Sequence, residues 1–305
     1  MDRLSEDVKQ EVPQVADVDG RATAWFSRHL VTLEVSYTVK HGHKPQETIR
    51  AYYTGFLLWE KLPGESEGAT IWLTAGHCMR QIDKELLGKP EYYSNIAFRF
   101  VDTLHSEAVS DLPVPFDYVA EKFKAWLVHT DERDVMLGLD VGVIFLRQHY
   151  SRALLRNKIT PVDERNWLGV PETFEKYYML GLPAERVGPN EQGIWVATPS
   201  MVEITKLNER PECYREQTDA MFYGVADPTS DVRDIQGMSG GPIIGVNRSG
   251  DGSGQYWVIA VQSGWYPRER VVCATTLASV RDPLLKVITA ILHLVADQVP
   301  PGPGA

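Results

Sequence analysis

The chain has 305 residues, 43% of them hydrophobic and 24% charged, a globular composition long enough for one large β-rich domain or two smaller ones. A net charge of −10 and a pI of about 5.3 leave no basic footprint for nucleic acid. No segment approaches the roughly 18 apolar residues of a membrane span, so neither nucleic acid nor membrane is an expected partner.

In chain order, residues 1–24 read as a polar arm. The stretch MDRLSEDVKQEVPQVADVDG is acidic and lacks the basic start and apolar run of a secretory signal. Strands are expected from His29 onward: LVTLEVSYTV alternates, and AYYTGFLLWE and ATIWLTA are β-branched or aromatic between turn-rich stretches. CMRQIDKELLG reads as a short helix stopped by Gly88. NIAFRFV and KAWLV read as strands with a helix, FDYVAEKF, between them, and LDVGVIFLR as a buried strand. YYMLGLP and IWVATPSMVEIT open a second run of strands, and GPIIGVNRSGDGSGQYWVIAVQSG reads as a hairpin. In the last periodic segment Leu284, Val287, Ile288, Ile291, Leu292 and Val295 share one helical face.

Many strands and few helices point to two packed β-barrels rather than an alternating βαβ sheet. The expected division is a polar arm (1–24), a first barrel (25–165), a second barrel (166–281), a C-terminal helix (282–298) and a tail (299–305), with the seam near 160–175.

Three residues carry candidate chemistry. His77, in TIWLTAGHC, stands where an apolar strand gives way to a helix. Asp140, in GLDVGVIFL, enters an apolar strand, where an ionised carboxylate costs several kcal/mol unless it is paired. Ser239 lies in GMSGGP, and the N–H groups of Gly237 and Ser239 are placed to point into one pocket and bind an oxyanion. The bland readings are a packed histidine, a solvated turn aspartate and a tight turn.

In the order His, Asp, Ser these motifs resemble those of the trypsin/chymotrypsin-like serine proteases. The resemblance rests on LTAGHC, LDVGVIFL, GMSGGPII and the strand VIAVQSG, and it covers roughly residues 28–296. It implies two six-stranded antiparallel barrels and a serine endopeptidase working on a protein or peptide substrate. Ser239 is then the nucleophile, His77 the general base and Asp140 the residue that orients it. No metal or other cofactor is expected. By the same resemblance residues 228–236 and 262–266 line the pocket for the side chain before the cut, with Arg233, Gln236, Ser263, Gly264 and Trp265 as its candidate residues and Asp231 and Asp234 close by.

The chain departs from the family pattern in two places. Cys78 has no upstream cysteine to bond, and the residue before the serine is Met238, where many members carry an aspartate that pairs with a freed N-terminus. The cysteines Cys78, Cys213 and Cys273 are odd in number and widely spaced, which favours a reducing, cytoplasmic location over a disulfide framework or zinc site. Control is therefore expected from narrow substrate choice or from a partner that orders the loops 184–196 and 207–236.

Other readings remain open at this stage. One is a silent relative that binds peptide without cutting it. G-x-S-x-G also fits an α/β-hydrolase esterase, with His293 the only downstream histidine. Asp131 and Asp134 stand in reserve as the acid, HGHK at 41–44 reads as a loop rather than a metal site, and Asn247-Arg248-Ser249 is a glycosylation sequon by pattern alone.

Overall fold

The computed structural model describes residues 22–40, 47–61, 68–102, 113–130, 136–189, 191–192, 195–214, 221–248 and 254–296. Most of the polar arm, the HGHK segment, Asp131 and Asp134, the turn of the 242–266 hairpin and the tail lie outside the described residues.

Several strands are apolar on both faces because each face meets a different core. In β2 (Glu47–Lys61) and β3 (Gly68–Thr74), Leu57 and Trp72 point into the first half's own cluster, while Phe56, Leu58, Ile71 and Leu73 point into a second cluster between the two halves. β7 (Met136–Leu146) repeats this, with Ile144 and Leu146 inward and Val141, Val143 and Phe145 toward the seam. Alternate side chains lie on opposite faces of a strand, so a doubly buried strand reads as a continuous apolar run.

The first half holds α1 (Thr23–Ser27), β1 (Leu30–Val39), β2, β3, α2 (Gly76–Gln81), β4 (Tyr93–Asp102), β5 (Val114–Pro115), β6 (Lys124–Thr130), β7 and α3 (Gln148–Arg156). Its seven strands form one antiparallel sheet in the order β5-β4-β1-β2-β3-β7-β6. The sheet coils around a single cluster that takes Phe98 and Val114 from one edge and Trp126 from the other.

The second half holds β8 (Lys176–Gly181), β9 (Val187–Pro189), β10 (Trp195–Ala197), β11 (Ser200–Lys206), β12 (Met221–Ala226), β13 (Pro242–Arg248), β14 (Gly254–Tyr266), β15 (Val271–Thr276) and α4 (Leu277–Ala296). Six of these strands close into an antiparallel barrel, β11-β12-β15-β14-β13-β8. The β9–β10 pair stands outside it. A mostly β chain with one closed barrel, a second coiled sheet and a C-terminal helix is consistent with a chymotrypsin-like double barrel.

The seam cluster draws Tyr178, Leu180, Ile244, Val246, Tyr256, Val258 and Val261 from the second half, Phe26 from α1, and Leu277, Val280 and Leu284 from α4. His29 is buried in this neighbourhood, with Nδ1 2.7 Å from the Thr160 carbonyl and Nε2 3.0 Å from the Tyr256 hydroxyl. Burial, reinforced by the Arg28 charge, pulls its pKa down to about 3. It is therefore a neutral imidazole that donates to Thr160 and accepts from Tyr256, joining the first half to the β14 strand.

Three segments differ from the elements expected of them. FDYVAEKF forms no helix: Phe116 and Tyr118 are buried and the Asp117 side chain accepts from the Ala120 N–H in a turn. The expected short helix after His77 is α2 followed by a π-helical turn, Ile82–Leu87, ending at Gly88. The C-terminal helix starts at Leu277, ahead of its periodic apolar stripe, where Ser279 donates to the Thr276 carbonyl.

Candidate active site

β3 ends at Thr74, and Ala75 turns the chain from extended into helical backbone. His77 is the second residue of α2, so its backbone N–H has no partner within the helix. It donates instead to Asp140 Oδ1 at 2.7 Å. The imidazole Nδ1 lies 2.5 Å from Asp140 Oδ2. Both carboxylate oxygens are thus engaged by one residue, which offsets the complete burial of Asp140 within β7. The Asp140 N–H is held by Thr275 Oγ1 at 3.0 Å, a contact that crosses from β7 to β15.

Burial works against a charged His77. The adjacent Cys78 sulfur and the Asp140 carboxylate outweigh it, and the imidazole's pKa stands well above its ordinary value. Cys78 Sγ lies 3.6 Å from His77 Nε2 and 3.8 Å from the Ser239 carbonyl.

Ser239 sits in the tight turn that leads into β13. The turn is closed by Met238 N–H to Ile235 O at 3.0 Å and Gly241 N–H to Met238 O at 2.9 Å. A peptide unit is planar and trans, so its C=O and N–H point in opposite directions. The Gln236 carbonyl accepts from Ala184 N–H at 2.7 Å, which turns the Gly237 N–H the other way. The Met238 carbonyl, bonded to Gly241, does the same for the Ser239 N–H. Neither N–H has a hydrogen-bond partner among the described residues, as donors awaiting an oxyanion require.

Two glycines are demanded here. Gly237 has φ +91°. Gly240 has φ +95°, and a Cβ there would stand 2.1 Å from the Thr54 carbonyl of β2. That close approach docks the turn on the first half. Thr54 Oγ1 donates to Gly237 O at 2.8 Å, and Thr74 Oγ1 donates to Thr54 O at 2.6 Å. Ser239 is half-buried, and its hydroxyl makes no hydrogen bond to His77 among the described residues. Such bonds are commonly long before substrate binds.

Met238 is fully buried in the apolar cluster of the closed barrel, with Met179, Ile235 and Ile243. Apolar packing fixes the turn where an ion pair was absent from the sequence. Met238→Ala is expected to cost about 2–5 kcal/mol of stability, read as a lower urea midpoint at unchanged slope.

The residues expected around a substrate side chain separate into two walls. On one, Arg233 and Gln236 are exposed, and the Arg233 N–H donates to Glu185 at 3.0 Å. On the other, Ser263 is the extra residue of a bulge in β14, with its hydroxyl buried, and Gly264 and Trp265 are half-buried. The walls are tied together by Trp265 Nε1 donating to Asp234 at 3.1 Å, and Arg270 reaches from the Trp265 face to the Arg233 carbonyl. The structure thus brings His77, Asp140 and the Gly237–Ser239 turn together where the two halves meet, keeps residues 263–265 on β14 of the closed barrel, and leaves the Arg233 and Gln236 side chains facing solvent.

Thr54, Thr74 and Thr275, which seat the turn and the acid, were not singled out in the sequence, where nothing distinguishes them from ordinary strand threonines. The Asn247 amide is engaged on both sides, by the Glu175 N–H and the Thr173 carbonyl. The esterase reading fails on the fold: Ser239 is followed by strand β13, and the sheets among the described residues are antiparallel. Among the described residues no group of three or more His, Cys, Asp or Glu side chains could hold a metal ion, and no helix is long and apolar enough to cross a membrane.

No family model matches the chain, and none of the curated proteins compared with it matches. Among solved structures it is similar to the crystal structure of a scabies mite inactivated protease paralogue, S-I1, at 14% identity and a TM-score of 0.47, with 84% of this chain and 94% of that chain covered.

Proposed function

We propose that the chain is a serine endopeptidase of the trypsin/chymotrypsin type. The observation that supports this best is the double hydrogen bond from His77 to a buried Asp140, set beside a serine turn with two unengaged N–H groups. Ser239 Oγ attacks the peptide carbonyl while His77 Nε2 takes its proton. Asp140 holds Nδ1 protonated and steadies the imidazolium. The oxyanion lies between the Gly237 and Ser239 N–H groups. His77 then returns the proton to the leaving amine, and water hydrolyses the acyl-enzyme. A fluorophosphonate probe should label Ser239, and label that survives Ser239→Ala overturns the assignment.

A second reading is a peptide-binding relative that does not cut. It draws support from Cys78 Sγ standing against His77 Nε2, with no hydrogen bond to His77 from the Ser239 hydroxyl among the described residues. A peptide recovered intact from long incubation, with no labelling, would select it.

The proposal includes a reducing compartment, in keeping with three free thiols. It also places control outside the N-terminal arm, because a buried Met238 needs no freed N-terminus to seat the turn. Truncation to residues 25–305 is expected to leave cleavage of a mixed peptide library within about threefold of the full chain, well under the tenfold that 1.4 kcal/mol of transition-state stabilisation represents. A large rise would make the arm a propeptide. A partner that orders the loops 184–196 and 207–236 would act by binding their ordered form preferentially.

A further inference from the structure

The gap between the loop 232–236 and the strand residues 263–265 opens beside the serine turn. The loop runs straight into Gly237. β14 is tied to the turn by Gly240 N–H donating to Gln262 O at 2.7 Å and Gln262 N–H donating to Gly241 O at 2.9 Å. Trp265 spans this gap. Its Nε1 donates to Asp234 Oδ1 at 3.1 Å, and the same oxygen accepts from the Gln236 N–H at 3.0 Å, which fixes the carboxylate on its own loop. The indole packs against the apolar cluster that holds Val232, Ile235 and Met238. The Arg270 guanidinium lies 5.8 Å from the ring centroid and donates to the carbonyls of Ala226, Asp227 and Arg233 at 3.3, 2.9 and 3.4 Å. The indole is therefore held by a hydrogen bond, by apolar packing and by a cation that is itself fixed at three points.

A substrate carbonyl held by the Gly237 and Ser239 N–H groups brings the side chain of the residue before the cut to this gap, where it must share the space with the indole. We propose that Trp265 determines specificity by filling the gap, so that the residue before the cut bond carries a small side chain: Gly, Ala or Ser. This rests on the endopeptidase reading and names its substrate class. Displacing the indole gives up its bond to Asp234, its packing on the cluster and its contact with Arg270 together. Forcing a second large group in beside it overpacks the space. A methyl or hydroxymethyl group requires neither. The charges that the ring contacts, Asp234 and Arg270, are opposite in sign and favour neither an acidic nor a basic side chain.

The test is a peptide series that differs only in the residue before the cut, Ala, Val, Leu or Phe, with the cut sites read by mass spectrometry. Ala should exceed Phe in kcat/KM by about 100-fold, within the roughly 10- to 200-fold that one misplaced methylene is worth in a close-fitting pocket. In Trp265→Ala the Phe peptide should be cut at least about tenfold faster than by the parent, and the Ala-to-Phe ratio should fall toward one. A gain of rate cannot come from a loss of folded protein. Trp265→Leu, which keeps an apolar contact with the cluster, gives the same readout if Trp265→Ala does not fold. Ser239→Ala protein should bind the Ala peptide more tightly than the Phe peptide by calorimetry, and the Ser239→Ala/Trp265→Ala double variant should bind the two alike. A probe-labelled, active wild type that cuts after Phe or another large residue as fast as after Ala overturns this inference alone, and so do Trp265 variants with no gain on the Phe peptide. Absence of labelling and cleavage overturns the protease reading, and a Ser239→Ala protein that binds the Ala and Phe peptides equally then overturns the filled gap as well.

Discussion

Ser239→Ala is expected to lower kcat/KM by about 10⁴–10⁶-fold while leaving the fold in place. The hydroxyl is half-buried and makes no hydrogen bond to His77 among the described residues, so its removal leaves no orphaned donor and no large cavity. The turn is held by Met238 packing, by the Thr54–Gly237 bond and by Gly240 N–H donating to Gln262 O at 2.7 Å, none of which involves the hydroxyl. Thermal unfolding should therefore shift by no more than about 2 °C, in line with substitutions that remove no buried contact. Residual activity over water would come from the oxyanion donors and substrate binding. Turnover within tenfold of the parent, measured on the same peptide, would remove Ser239 from the mechanism.

Asp140→Asn is expected to cost about 10⁴-fold in turnover through the wrong tautomer. The carboxylate only accepts, so it fixes the proton on His77 Nδ1 and leaves Nε2 free to act as base. An asparagine amide in the same place can donate to Nδ1, which moves the ring proton to Nε2. The pH profile distinguishes this from simple misfolding. His77 must be neutral to accept a proton, and its pKa stands well above the ordinary value. The rise of kcat/KM with pH should accordingly fall on the alkaline side of that value in the parent and move toward acid in Asp140→Asn. Stability follows the same group. A raised folded-state pKa contributes stability that is fully present below the unfolded histidine value, about 6.5, and is lost as pH rises through the folded value. Urea midpoints across that range should show the loss in the parent and a flatter course in the variant. If Asp134→Asn impaired turnover and Asp140→Asn did not, the acid would be Asp134.

The candidate motifs stood out in the sequence because each is compact: one histidine after an apolar strand, one aspartate in another, one serine among three glycines. The supports were not legible because they lie far off in sequence. Thr54 meets Gly237 across 183 positions, and Thr275 meets Asp140 across 135. The same distance hid the first sheet's shape. The expectation of six strands per barrel holds for the closed one, but β5 adds a two-residue seventh strand to the other sheet. α3 was missed although Tyr150, Ala153 and Leu154 pack at helical spacing against the first cluster, because nine residues repeat that spacing too few times to stand out. MFYGVA and VVCATT, which form β12 and β15, were passed over between turn-rich stretches although both are strand-like in composition. Their pairing with each other and with β11 and β14 closes the barrel, and pairing is a property no single segment displays.

Thr275 also sets a clock. The residue that seats Asp140 lies in β15, the last strand among the described residues, and the helix that follows supplies Leu277, Val280 and Leu284 to the seam. During synthesis the first half can coil around its own cluster while still lacking Ser239, the N–H groups of its turn and the Thr275 hydroxyl beside Asp140. Even after Ser239 has emerged, the strand β15 that completes the barrel has not. A ribosome carrying this chain therefore holds no assembled site until β15 leaves the tunnel, and fragments ending before Val271 should be inert toward the fluorophosphonate. For the proposed endopeptidase, the order of the elements is itself a delay.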